Sequence, residues 1–307
     1  MSLIKLSNNG VKNITSVGSV GTGDLKFISS SLPNITYTVT VADSGGNKYF
    51  IDGVAQDTLS LYRGGTYTFD QSHSSNSGHP LRLSSTSNGT HGGGSEYTTG
   101  VTTTGTAGSA GAKTVITVAE DAPTLYYYCT NHSNMGGTAN ISGVSNISFT
   151  SGIDSTYKEY IFYFVNMHPA TDNVQFQFNL STDGGSNYNV TKTSTFFRAY
   201  HSESSGESLA YRTNRDLAQS TSNQPLVEEI GNDNDQQLSG YLHLFNPSST
   251  TFVKHFISVT NAVASADYCT NGYIAGYGNT TSAVDSIQFS MSSGNIDAGD
   301  ILLYGVN

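Results

Sequence analysis

Four residues in this 307-residue chain have the types and the order needed to hold a metal ion. His79 stands in Ser77-Gly78-His79-Pro80-Leu81-Arg82-Leu83. Further along comes Cys129-Thr130-Asn131-His132-Ser133-Asn134-Met135-Gly136-Gly137. A thiolate and two imidazoles make a trigonal plane that suits copper, and a thioether sits weakly on its axis. The expected ligands are therefore His79, Cys129 and His132, with Met135 in the axial place. Thiolate and neutral imidazole prefer soft or borderline ions, so copper is preferred over calcium or magnesium. The plainer alternative is that Cys129 and Met135 are only packed apolar side chains, in a fold used as a scaffold.

No other stretch carries comparable chemistry. The chain has no Gly-x-Ser-x-Gly, no His-Glu-x-x-His and no P-loop. Gly92-Gly93-Gly94 lacks the lysine that a phosphate cradle requires. Asp154, Glu159, Asp172 and Asp183 form no evident carboxylate pair. His73 and His91 lie among Ser, Gly and Asn and read as solvated loop histidines. Cys269 has no ligand-spaced neighbour and reads as a free thiol. The expectation is a protein that is not an enzyme. The net charge is −10 and there is no run of Lys or Arg. A nucleic-acid groove needs a basic footprint, so that role is excluded. No apolar run approaches the roughly 20 residues of a membrane span, so membrane insertion is not expected. No secretory leader is visible at the N-terminus, and a disulfide between the two cysteines is not expected.

These ligands need strands to position them, and the composition favours strands. Only 12% of residues are charged, while Gly numbers 33 and Tyr 19. Long surface helices are built from Glu, Lys, Arg, Ala and Leu, which are scarce here. Ile35 to Val41 alternates with period two, and Asp43 to Asn47 turns it back toward Lys48 to Ile51. Thr58 to Tyr62 and Thr66 to Phe69 flank Gly64-Gly65 as a second hairpin signal. Further strands are expected at 114–118, 125–129, 160–166, 174–180, 196–200, 240–245, 252–259, 286–291 and 301–304. One weak helical signal covers Arg215 to Gln219. Cys129 closes the strand Leu125 to Tyr128. The following loop can return His132 and Met135 over the same end, where His79 arrives from a neighbouring strand.

The expected fold is all-β, with two β-sandwiches. Residues 1–33 form an N-terminal arm that includes a first strand, Asp24 to Ile28, of the C-terminal sandwich. Residues 34–141 form one sandwich and 142–307 the other. On that reading the first sandwich is inserted between two strands of the second; a simple tandem is the alternative. Insertions of this kind succeed at exposed loop tips.

The order His79…Cys129-x2-His132-x2-Met135 resembles that of cupredoxin domains, and the resemblance covers Ile35 to about Ile141. It implies a Greek-key sandwich and a mononuclear type 1 copper site. The His132 to Met135 spacing is shorter than in plastocyanin-type members and is similar to that of the copper-A centre. That centre needs two cysteines, and this loop has one. Blue-copper carriers surround the exposed histidine with an apolar docking patch. Thr130, Asn131, Ser133 and Asn134 are polar instead, which argues against electron transfer as the main task.

The second half has a different resemblance. Its phrases include Ile147-Ser148-Phe149-Thr150-Ser151-Gly152, Ser181-Thr182-Asp183-Gly184-Gly185-Ser186 and Ser293-Gly294-Asn295-Ile296-Asp297-Ala298-Gly299. The style resembles the jelly-roll-like C-terminal sandwich of virion structural proteins from tailed phages of marine bacteria, of tail-fibre, spike or decoration type. The opening Met1 to Lys12 is similar to the start of such proteins. The resemblance implies location on the virion, a homo-oligomer (a trimer), contact with other virion proteins, and attachment to a host-surface glycan or protein. The alternatives are a blue-copper electron-transfer protein and a secreted carbohydrate-binding adhesin.

Overall fold

The computed structural model describes residues 25–30, 32–119 and 121–306. Its secondary structure there is strands plus two 3-10 turns, Ser74–Asn76 and Gly89–Gly92. The strands that open the chain are β1 (Leu25–Ser30), β2 (Asn34–Asp43), β3 (Asn47–Ile51), β4 (Val54–Ala55), β5 (Leu59–Tyr62) and β6 (Thr66–Asp70). Next come β7 (Leu81–Ser84), β8 (Val101–Thr104), β9 (Lys113–Thr117), β10 (Leu125–Cys129) and β11 (Gly137–Ser142). The second half begins with β12 (Asn146–Phe149), β13 (Glu159–Pro169), β14 (Phe176–Ser181), β15 (Lys192–Ser202), β16 (Glu207–Tyr211) and β17 (Gln224–Pro225). It ends with β18 (Leu238–Phe245), β19 (Lys254–Ala264), β20 (Tyr268–Gly278), β21 (Ser286–Met291) and β22 (Ile296–Val306).

Residues 34–142 build a six-stranded sheet, β4-β3-β2-β6-β9-β8, and a four-stranded sheet, β5-β11-β10-β7. Alternate side chains of both sheets meet in one core. Val39, Tyr49, Tyr67 and Phe69 enter it from the first sheet, and Leu61, Leu83, Leu125 and Tyr127 from the second. Two pairings are parallel, β2 with β6 and β5 with β11. The hairpin of β2 and β3 forms as its Asp43–Asn47 turn predicts.

The hairpin expected around Gly64-Gly65 does not form. β5 and β6 lie in different sheets of the same unit. The turn carries the chain across the core because its backbone is claimed elsewhere. Gly64 takes φ +74° and donates its N–H to the Val118 carbonyl, 2.8 Å away. The Tyr67 hydroxyl meets the Tyr62 N–H at 2.8 Å, and a Cβ on Gly65 would lie 2.9 Å from the Tyr67 ring. The glycines thus let the turn rest directly on a buried tyrosine.

The second half has an eight-stranded sheet, β1-β22-β13-β18-β19-β20-β15-β16, and a four-stranded sheet, β12-β21-β14-β17. Between them lies a core rich in phenylalanine, with Phe149, Phe162, Phe164, Phe176, Phe178 and Phe289 in ring contact. β1 pairs antiparallel with β22, from Leu25 opposite Val306 to Ser30 opposite Leu302. The chain therefore leaves this sheet after β1, builds the two sheets of residues 34–142, and returns. The crossing is tied by a bridge between Val144 and Ile296 and by Arg63 Nη1 on Asp297 Oδ1 at 2.5 Å.

The helix expected at Arg215 to Gln219 is absent; this segment is turn and bend. Its backbone bonds run to β15 instead. Leu217 N–H donates to Ser194 Oγ, Ser194 N–H to the Leu217 carbonyl, and Gln219 N–H to Thr193 Oγ1.

Candidate metal centre

Cys129 is the last residue of β10. Strand alternation turns it inward with Leu125 and Tyr127, and it is fully buried. Antiparallel pairing sets it opposite Leu81 at the start of β7. The ladder continues one step beyond both strands, where Thr130 N–H donates to the Pro80 carbonyl at 3.1 Å. Asn131 Nδ2 then reaches the Gly78 carbonyl at 2.9 Å. These bonds hold the segment containing His79 beside the loop containing His132.

His79 is anchored through its backbone. Its carbonyl accepts the Tyr49 hydroxyl at 2.8 Å and Gln71 Nε2 at 2.9 Å. Its N–H donates to the Asn76 carbonyl at 2.8 Å. Gln71 also accepts the Leu81 N–H on Oε1 at 3.0 Å, so one buried amide fixes the turn into β7.

The donor atoms converge. Cys129 Sγ lies 3.9 Å from His79 Nδ1 and 3.7 Å from His132 Nδ1. All three residues place a ligand atom within 4.8 Å of the others. A metal about 2.3 Å from a thiolate and about 2.0–2.1 Å from imidazole nitrogens, with donors about 110–120° apart, separates sulfur from nitrogen by about 3.6–3.8 Å. The 3.7 Å spacing falls in that range and the 3.9 Å spacing lies just above it, which is compatible with donors sharing one ion. The residues fit copper, and the same donors also fit zinc. Among the described residues, this is the only such group of three His, Cys, Asp or Glu side chains.

The site grades from core to surface. Cys129 is buried, His79 is half-buried and His132 is exposed. Burial, and next the facing His132, lower the His79 pKa below the usual imidazole value. Its ring is thus neutral at pH 7 and offers a lone pair. The Tyr49 hydroxyl lies against the Cys129 sulfur and is kept protonated, chiefly by burial.

Met135 is buried in the same core as Cys129. With His132, His91, Asn131, Ser133 and Asn47 it lines one surface depression. The loop is bent by Asn134 at φ +59°, whose N–H donates to Asn88 Oδ1 and whose carbonyl takes Lys48 Nζ. Gly136 follows, where a Cβ would sit 1.6 Å from the Tyr127 carbonyl. Only glycine lets the chain turn down here and bring Met135 under the rim.

All four sequence-predicted residues thus lie at one end of the first unit. Three further groups escaped the sequence reading. His91 is exposed on its loop, as expected, but its Nε2 also lies 3.1 Å from the Cys129 carbonyl. Tyr49 and Gln71 were unmarked because their roles run through the backbone of His79. His73 does stay exposed, accepting the Ser75 N–H at the head of a 3-10 turn. Cys129 and Cys269 are both free, and Cys269 is exposed. No helix among the described residues is long and apolar enough to cross a membrane. Comparison of the chain with protein-family models, with curated proteins and with solved structures gives no match.

Proposed function

We propose that residues 34–141 are a cupredoxin-like domain in which Cys129 Sγ and the Nδ1 atoms of His79 and His132, together with Met135, would hold one copper ion. The observation that carries this reading is the sulfur–nitrogen spacing of 3.7 and 3.9 Å. A bound copper would supply a one-electron couple and a covalent tie between two loops. The rim favours the second use. Asn131, Ser133 and Asn134 are exposed and polar, with no apolar patch around His132 for a redox partner. The centre then serves stability more than electron traffic.

The host of this domain is, on this reading, a non-enzymatic virion structural protein of a tailed phage. It sits on the capsid or tail and contributes to particle stability or host-surface attachment. The resemblance of the second half to such proteins, the low charge and the exposed apolar side chains of its large sheet support it. A jelly-roll-like second sandwich belongs to the same proposal.

The test is metal analysis with a visible spectrum before and after Cu(II) is added. One copper per chain and an intense blue band are expected, both lost in Cys129→Ala. Copper at a thousand times its Kd would stabilise the fold by about 4 kcal/mol, seen as a higher Tm. No stoichiometric copper and no band would leave the sandwich as a scaffold.

A further inference from the structure

The outer face of the eight-stranded sheet carries side chains that neither core nor metal site uses. Phe162, Phe196 and Leu242 point inward, so their strand neighbours point outward. The register lines these outward residues into rows. One row runs Tyr211, Phe197, Tyr273, Val259, Tyr241, Tyr163. The next runs Ile257, His243, Ile161, Tyr304, Phe27. Ring contacts link neighbours, Phe197 to Tyr211 at 5.3 Å, Tyr163 to Tyr304 at 5.7 Å and Phe27 to Tyr304 at 5.5 Å. Tyr273 is 51% exposed, Ile257 47% and Phe197 46%. Among the described residues, all the exposed large hydrophobics except Ile35, Val54 and Phe252 fall on this face.

The two rows hold no lysine or arginine. Glu159, which borders them, is paired with His243. Outward Glu207 and Asp300 lie outside the rows. The two rows, about 7 Å apart and drawn from eight strands at about 4.8 Å, cover about 38 by 14 Å. That is about two thirds of the roughly 800 Å² each partner gives to a standard interface. It stands at the upper end of the roughly 300–600 Å² patch of an ordinary monomer.

The geometry points to this face as the contact between two copies of the chain, each laying its eight-stranded sheet against the other. A charged partner would bury its charges opposite rings with nothing to pair them. A lipid surface would find no basic side chains for its headgroups. The partner must be equally aromatic and equally uncharged, and a second copy of this face meets both conditions. It also lets two chains of net charge −10 approach where neither carries unpaired charge. Such a contact is self-complementary about a two-fold axis, with the sheets about 10 Å apart. This deepens the assembly half of the proposed function and is independent of the metal. It favours a two-fold pair over the trimer that the resemblance implies.

Sedimentation equilibrium on the full chain tests it. The wild type is expected at twice the chain mass at micromolar concentration. Phe197→Arg and Tyr273→Arg should weaken association at least tenfold, with far-ultraviolet dichroism unchanged. Phe252→Arg, off the face, should leave the pair intact. A monomeric wild type overturns the proposal and removes the oligomer from the assembly reading. An oligomer that survives both variants overturns this face and leaves assembly by another surface standing. A monomer that binds a soluble oligosaccharide through Tyr273 would assign the rows to sugar stacking instead.

Discussion

Gln71 is 3% exposed and uses both ends of its amide on the segment that presents His79. Gln71→Ala leaves the Leu81 N–H without its acceptor, which costs about 1–3 kcal/mol. Urea unfolding should show that loss as a lower midpoint, and copper should bind more weakly as His79 loosens. Lys192 is a second residue-scale case. It is fully buried, and its Nζ donates to Asn179 Oδ1 and to the Val190 carbonyl. Burial pushes its pKa down to about 7. Between that value and the ordinary lysine range near 10.5, the unfolded chain holds a proton the folded chain lacks. Stability should therefore rise with pH across that window and be lowest below it. Lys192→Met should flatten the slope and stabilise the protein at pH 6, by at most about 5 kcal/mol. Denaturant titrations at several pH values would check both. The candidate ligands were legible as a set because Cys, His and Met at short spacing are rare in a chain of Ser, Thr, Asn and Gly. His91 was not, because its role is one contact to a carbonyl 38 positions away, which no local pattern announces.

At the scale of elements, the reading succeeded where alternation was clean. β10 and β21 match their expected spans, Leu125–Cys129 and Ser286–Met291. It failed where glycine had a packing purpose instead of a turning one. β20 runs unbroken through Gly272, Gly276 and Gly278, which look like turn residues in sequence. A Cβ on Gly276 would lie 2.6 Å from the Phe256 ring, and one on Gly272 would lie 3.1 Å from the Leu226 carbonyl. These glycines make room for neighbours within a strand. The β10–β11 loop shows the same rule beside the metal site. Gly136→Ala would drive its Cβ into the Tyr127 carbonyl, so the loop must move and take Met135 with it. Stability should fall by at least about 2 kcal/mol. The blue band should weaken in Gly136→Ala even where the chain still folds. Thermal unfolding and the visible spectrum of one preparation separate the two effects.

For the whole molecule, composition pointed to an all-β chain, and the described residues form strands in four sheets around two cores. The outward aromatic rows were hidden, because a row across a sheet draws one residue from each of many distant strands. The strand order shows that β22 lies between β1 and β13, touching both. A ribosome delivers β1 first and β22 after every other strand described. The unit of residues 34–142 can condense while β1 still waits for its only neighbour. The large sheet closes late, through contacts of very high sequence separation, which makes its folding slow. Premature termination between Ser142 and Ile296 would release a chain with its first two sheets finished and the edges of the large sheet unpaired, a species prone to aggregate.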